Sequence, residues 1–365
     1  MPVDDVAFMR QAVRLARRAI GRTRPNPPVG AVVVSRGEVV GRGFHRQAGG
    51  AHAEVEALRA AGPRARGATL YVTLEPCNHH GRTPPCTEAV IAAGIRRVVA
   101  GIPDPNPGVA GGGIARLRAH GVRVDVGVEE RLCSDLIRAF AKHARTGLPF
   151  VTLKMAASVD GRIATVTGAS RWITGERSRR LVHQLRNRFD AVMVGAGTVI
   201  ADDPALTCRL RGGRDPLRIV VDGRLRVPLS AQVLTKEAAP GTIIATVTRK
   251  PRILDTFRRR GATVLLLPGR RGSLSLRRLL AEVGKRGIMS VLIEGGALLA
   301  AAALRERVVD EFLCLYAPML IGGDGLPSVA PLGVVSLADA IPLANLRVVR
   351  LGEDVLVRAD VAVQR

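Results

Sequence analysis

A chain of 365 residues exceeds what one ordinary hydrophobic core supports and points to two domains. Its formal net charge of +24 raises the question of nucleic acid, but the excess is spread along both halves without a basic tail or block. Aromatics at 3% leave no base-stacking platform, so nucleic acid is not an expected partner and small anionic substrates fit the same charge.

In chain order, Asp4 or Asp5 caps a first helix with Met9, Val13, Ala16 and Ile20 on one face. RTRPNPPVG breaks it. Val29 to Val34 and Glu38 to Phe44 then read as a hairpin around Arg36 and Gly37. A helix follows from about His52, a strand over Ala68 to Leu74, a helix over Pro84 to Ala93 and a strand over Arg97 to Ile102. A helix over Ile114 to His120, a strand over Val122 to Val126 and a helix over Glu129 to Ala144 complete a layered α/β domain with a mostly parallel sheet. The first domain spans 1–146 and the second 147–365, with Gly147 and Pro149 punctuating the boundary. Beyond it, strands are expected at Phe150 to Met155, Ala191 to Val194, Leu217 to Val221, Thr242 to Val247, Val264 to Leu267 and Ser290 to Ile293. Helices are expected at Glu176 to Phe189, Leu274 to Lys285 and Ala297 to Arg305. Glu311 to Tyr316 and the alternating Val355, Val357 and Ala359 close the chain as antiparallel strands.

Five cysteines, an odd number, argue against a disulfide framework and for a reducing, cytoplasmic setting. Cys133, Cys208 and Cys314 read as buried core thiols. No basic and apolar leader is evident around Asp4 and Asp5, and the apolar run Ala297 to Leu304 is far short of a membrane span.

The chemistry concentrates in residues 52 to 86, HAEVEALRAAGPRARGATLYVTLEPCNHHGRTPPC. A catalytic zinc takes three protein ligands and leaves a fourth position for water. His52, Cys77 and Cys86 supply such a set, and Glu54 is placed as the proton carrier. Residues two apart do not face each other on a helix, so His52 and Glu54 can converge only at a helix start. Thr83, Pro84 and Pro85 set Cys86 at the first turn of the next helix, where the dipole favours thiolate. The competing arrangement is a closed structural zinc held by Cys77, His79, His80 and Cys86. In the second domain, GAGTVI, with Gly195, Gly197 and Thr198, is a partial dinucleotide fingerprint whose simpler reading is a tight turn. Gly295 and Gly296, between a strand and an Ala/Leu helix, would set backbone amides against a pyrophosphate.

PNPPVGAVVV, HAEVEAL, EPCNHHGRTPPC and DPNPGVAGGG resemble the deaminase domain of the bifunctional riboflavin-biosynthesis deaminase/reductases. KMAASVDGRIA, SRWIT, GAGTVIADDPALTCR and IEGGALLAAAL are similar to their reductase domain. The likeness runs through nearly the whole chain in order, and the eight residues between Cys77 and Cys86 exceed the two usual in nucleobase deaminases. It implies an N-terminal cytidine-deaminase-like three-layer domain followed by a dihydrofolate-reductase-like α/β domain. It also implies two consecutive reactions on one phosphorylated pyrimidine: zinc-dependent deamination, then NADPH-dependent reduction of the ribosyl group to ribityl.

By the same resemblance Asn26, His45, His79 and Arg82 line the first pocket, Arg82 suiting a phosphate. Ala156, Trp172, Thr198, Asp202 and the stretch Gly296, Ala297, Leu298, Leu299, Ala300, Ala301 and Ala302 border NADPH. Ser170, Arg186, Leu206, Arg209 and Glu294 contact the second substrate, with Arg186 and Arg209 suited to its phosphate. Gly223 stands where many members carry Ser next to the cofactor. Tyr316 lacks a Lys four residues on, which excludes a Tyr-Lys dehydrogenase dyad. A homo-oligomer, dimer or tetramer, is expected. Two rival readings are an RNA-binding or RNA-editing deaminase with a non-catalytic C-terminal domain, and a zinc scaffold with both sites dead.

Overall fold

Apolar side chains point both ways from Gly30–Ser35, so this strand must lie between two helical layers. In the computed structural model, which describes residues 3–80, 84–109, 112–270 and 272–362, it does. The chain divides into two compact units, Met1–Leu148 and Pro149–Arg365.

The first unit carries a five-stranded sheet in the order Glu38–Phe44, Gly30–Ser35, Thr69–Val72, Arg97–Ala100, Arg123–Val126. Gly30–Ser35 is antiparallel to both neighbours and the remaining pairs are parallel. Ala31, Val33, Leu70, Val72 and Val98 meet the helices Ala53–Ala61, Cys86–Ala92 and Gly112–Ala119 in one core layer. Val32, Val34, Tyr71 and Val99 meet the first helix, Val3–Arg17, and the C-terminal helices of the unit in the other. Three expectations give way here. Asp5 does not cap the first helix; it is buried in its first turn, accepts the Tyr71 hydroxyl at 2.6 Å and takes both ends of the Arg97 guanidinium at 2.9 and 2.8 Å. Ile20 lies beyond the end of that helix. The helix expected over Glu129 to Ala144 is broken at Ile137, whose φ of −111° separates Glu130–Leu136 from Arg138–Thr146.

The second unit carries a nine-stranded sheet. Seven strands run parallel in the order Thr263–Leu266, Thr242–Thr246, Leu217–Val221, Ala191–Gly195, Ser290–Glu294, Phe150–Ser158, Glu311–Ala317. Asp354–Val361 and then Leu343–Leu351 add on antiparallel, the latter as an edge strand. Leu343–Leu351 was not expected, because its apolar residues do not alternate, and neither were the helices Ala196–Asp202 and Pro251–Arg259. The helix expected from Leu274 starts at Leu276 instead. Ser275 caps it by accepting from the Arg278 amide, and Ser273–Leu274 pairs with Gly269–Arg270 in a small hairpin. Cys133 and Cys314 are buried as expected, whereas Cys208 is only half-buried and its thiol donates to the His183 carbonyl. Among the described residues no helix is long and apolar enough to cross a membrane.

Candidate functional site

The metal candidates of the first unit converge because three local devices place them. His52 has φ −73° and ψ 163°, so it stands just outside Ala53–Ala61 while Glu54 lies in that helix's first turn. This is the geometry their two-residue spacing demands. The helix rests directly on its neighbouring strand, since a Cβ at Gly41 or Gly43 would come within 2.2 Å of the carbonyl of Ala57 or Ala53. Cys86 opens Cys86–Ala92, and its amide donates to the Cys77 sulfur at 3.4 Å. Cys77 is held through Glu75, whose buried carboxylate accepts the amides of Asp104, Gly113 and Ile114 and so ties the loop before the cysteine to the start of Gly112–Ala119. Sequence reasoning missed Glu75; a carboxylate beside Pro76 carries no local sign of the helix start it will cap.

The His52 Nδ1 lies 3.1 Å from Cys86 Sγ and 3.5 Å from Cys77 Sγ, and the three donor atoms fall within 4.8 Å of one another. One nitrogen and two sulfurs at these separations suit a tetrahedral zinc with one position open. Electrostatics agree. Hydrogen bonds from Cys86 and His52 pull the Cys77 thiol down to about 4, while the bond to Cys77 pushes the Cys86 thiol up. Burial, then the Cys77 sulfur, pushes Glu54 up to about 7. One sulfur held as thiolate beside a second thiol and a carboxyl that it pushes up leaves negative charge for a dication to compensate, so the residues fit zinc. Among the described residues His79 and His80 are not part of this cluster and are exposed, so the closed four-ligand alternative is not assembled.

A cavity of about 340 Å³ opens on these groups and is lined by Asn26, His45, His52, Glu54, Cys77 and His79. Asn26 Nδ2 sits 3.1 Å from His45 Nε2, and His45 Nδ1 sits 3.1 Å from the Ala51 carbonyl. That pairing fixes the ring with Nδ1 donating to the carbonyl and Nε2 accepting from the amide. Asp104 and Asn106, which line the same cavity, were not singled out from sequence. Arg82 lies outside the described residues.

The second unit has a cleft of about 730 Å³ at the C-terminal ends of its parallel strands, where open α/β sheets receive ligands. Ser170, Thr198, Asp202, Gly223, Gly296, Ala297, Leu298, Leu299 and Ala302 all line it. Gly296 precedes Ala297–Arg305 with ψ 165°, and its amide donates to the Thr198 hydroxyl at 3.3 Å. Asp222 Oδ1 at the same cleft is buried without a partner, and Gly195, Gly197 and Gly296 present bare backbone to it. An exposed helix start, bare glycine and an unpaired acceptor fit a dinucleotide.

Several residues implied by the resemblance do not reach this cleft. Ala300 and Ala301 are fully buried, because the helix turns them toward the sheet. Ala156 and Leu206 are not among the lining residues, and Leu206 is 2% exposed. Trp172 is 67% exposed and lies under the Arg179 guanidinium. Arg186 does not present a free guanidinium: it grips Glu294 at 2.8 and 2.9 Å and donates to the Thr207 carbonyl. Burial pushes Glu294 up, but Arg186 and the adjacent Lys154 outweigh it and hold the carboxyl below its ordinary value. Arg209 is exposed, its amide donating to His183 Nδ1. Lys154, level with Glu294 on the neighbouring strand, went unnoticed in the sequence.

A three-layer unit holding a His/Cys/Cys cluster with a buried Glu beside it, joined to a strand-end cleft built for a dinucleotide, defines a zinc deaminase fused to a dihydrofolate-reductase-like reductase. Residues 2–102 match the cytidine and deoxycytidylate deaminase zinc-binding region, and residues 149–357 match the RibD C-terminal domain. The chain is 44% identical over 354 residues to riboflavin biosynthesis protein RibD of Aquifex aeolicus, covering 97% of both chains. It is 42% identical to that of Escherichia coli, over 97% of this chain and 98% of the other. The Acinetobacter baumannii RibD structure superposes with a TM-score of 0.88 at 39% identity, covering 99% of each chain. For the Thermotoga maritima diaminohydroxyphosphoribosylaminopyrimidine deaminase/5-amino-6-(5-phosphoribosylamino)uracil reductase the TM-score is 0.85 at 37% identity, over 98% and 99% of the chains.

The chain belongs to the RibD family of riboflavin biosynthesis. It is a bifunctional enzyme with a zinc-binding deaminase domain and an NADPH-using reductase domain. The reading of the C-terminal half as a non-catalytic RNA platform is set aside by that half's match to the reductase family.

Proposed function

We propose that residues 1–146 deaminate 2,5-diamino-6-(5-phosphoribosylamino)pyrimidin-4(3H)-one and that residues 147–365 reduce the ribosyl chain of the resulting 5-amino-6-(5-phosphoribosylamino)uracil to ribityl. The observation that carries the first half is the convergence of His52, Cys77 and Cys86 beside a buried Glu54 at the base of a cavity. His52, Cys77 and Cys86 would hold the zinc, which when bound supplies Lewis-acid activation of a water in its open position. Glu54 takes a proton from the attacking water and returns it to the departing nitrogen, so that a C–N bond is exchanged for C–O and ammonia leaves. Its carboxyl is only 3% exposed, so bulk water is kept from the proton it carries. Asn26 and His45 orient the ring, and His79 and Arg82 are the residues assigned to the phosphate.

In the second reaction NADPH, when bound, would supply the hydride for C1′ of the ribosylamine; the bond from C1′ to the ring oxygen breaks, the freed oxygen takes a proton, and the open ribityl chain stays attached through nitrogen. Gly296 to Leu299, Ala302, Thr198, Asp202 and Gly223 hold the cofactor, and Ser170 holds substrate at the cleft. Arg186 acts by positioning Glu294 rather than by binding phosphate directly. Supplying the diaminopyrimidinone phosphate and following ammonia release and NADPH oxidation in one sample tests both halves. Ammonia without NADPH loss would confine the activity to the first unit.

The protein works in the cytoplasm on a small phosphorylated pyrimidine, without nucleic acid or membrane. It does so as a homo-oligomer, a reading supported by the exposed Leu346, Val348 and Val349 on the edge strand Leu343–Leu351. Light scattering at working concentration gives the assembly state, and a monomer would refute this part.

A further inference from the structure

Beyond Thr198 and Gly296, the cleft of the second unit ends in a turn at the C-terminus of Leu217–Val221, whose Gly223 is assigned to the cofactor but whose arginines no part of the proposed chemistry uses. This turn, residues 222 to 227, is rigid for identifiable reasons. Asp222 Oδ2 accepts the Val227 amide at 2.8 Å, the Leu225 amide donates back to the Asp222 carbonyl, and Leu225 takes a φ of 55° to close the loop. The Gly223 carbonyl is held by the hydroxyls of Thr246 and Thr248 at 3.1 and 3.0 Å. Gly223 itself is obligatory, because a Cβ there would meet the Gly272 carbonyl at 1.9 Å; a serine at this position is incompatible with the 269–274 hairpin as it lies. Gly272 in turn has φ +82°, and a Cβ on it would run into the Arg224 side chain at 2.6 Å. Turn, hairpin and arginine therefore interlock.

What this device presents to the cleft is cationic. Arg224 and Arg226 both line it, both are exposed, and Arg226 makes no ion pair among the described residues. A dinucleotide whose pyrophosphate sits at the Gly296 helix start extends in two directions. One leads to Ser170 and Ala164 on the side of Phe150–Ser158, where hydride must be delivered. The other leads to this turn. The group at that end is the adenosine ribose, and two guanidiniums on a fixed turn are suited to a phosphate on it. Asp222 Oδ1, buried and unpaired, is an acceptor for a ribose hydroxyl but would repel a phosphate, so the charges separate the two ribose oxygens.

We propose that Arg224 and Arg226 read the 2′-phosphate of the cofactor and set the preference for NADPH over NADH, with Gly223 and Gly272 positioning Arg224. This rests on the NADPH reading of the second unit. The test is calorimetric titration of the full-length protein and of R224A, R226A and the double variant with NADPH, with NADH, and with 2′-phospho-AMP against AMP. The arginine variants should weaken NADPH and 2′-phospho-AMP by about 10- to 100-fold while leaving NADH and AMP within about twofold. Equal loss for NADPH and NADH would place the arginines on the shared pyrophosphate and overturn the proposal, as would unchanged NADPH affinity in the double variant. A wild-type protein with no preference between the two dinucleotides would instead refute the cofactor reading beneath it.

Discussion

All four groups at the deaminase centre lie between residues 52 and 86 and converge as side chains, Glu54 and Cys86 buried and His52 and Cys77 half-buried, whereas the reductase cleft is assembled from strand ends between residues 163 and 327 and presents much bare backbone. The first site is specified by which atoms ligate and which carries a proton. The second is specified by where the chain leaves a helix start, a glycine floor and a fixed turn. Damage should therefore be abrupt and chemical in the one, graded and thermodynamic in the other.

The largest expected effect tests that division directly. Glu54→Gln should lower deamination by about 10²–10⁴-fold with zinc content unchanged, and reduction of directly supplied uracil substrate should proceed at the wild-type rate. Ammonia release, metal analysis and NADPH oxidation on one preparation decide it, and a parallel fall in reduction would break the independence of the two sites. His52→Ala should instead lose the metal; stoichiometric zinc in that variant would remove His52 from the ligand set.

Next in size is the largely buried Arg186–Glu294 pair of the second unit. Arg186→Met strands the Glu294 carboxylate, only 8% exposed, and should destabilise the second unit by roughly 3–5 kcal/mol in urea unfolding. Converting both residues to apolar ones should recover much of that loss. A smaller effect concerns acid. Arg97 holds the Asp5 carboxyl below its ordinary 3.8, so the stability it contributes is fully present above that value and lost as pH falls through the lower folded-state value. Asp5→Asn should therefore cost the first unit more near pH 6 than near pH 3, read from paired denaturation curves at about those two pH values. Equal cost at both would mean that the carboxylate's charge contributes nothing. Smallest of all, Trp172→Ala should change NADPH affinity by no more than about twofold, because the indole stands in solvent against Arg179. A larger loss would restore the cofactor contact that the family resemblance implies.

The contrast also explains what could be read in advance. His52, Glu54 and Cys86 were legible because their roles follow from position relative to a helix start, a local property. Helix phase was harder: Ala300 and Ala301 belong to a run of small residues with no polar face to show which side meets the sheet. The Arg186–Glu294 pair spans 108 positions, and neither partner announces the other. Glu75 was missed for the same reason, its three amide partners lying 29 to 39 residues on. Leu343–Leu351 carries apolar residues on both sides of an edge, so no two-residue rhythm marks it as a strand.

The glycines beneath the helix that carries Glu54 have one more implication. With Gly41 and Gly43 giving the carbonyls of Ala57 and Ala53 nowhere to retreat, helix height above the sheet is a mechanical setting, independent of every reacting group. An alanine at 43 would act as a shim under the active-site carboxylate, shifting it against the metal ligands while leaving its chemistry intact. A graded series of small side chains there would turn the fold into a ruler for how steeply proton transfer depends on distance.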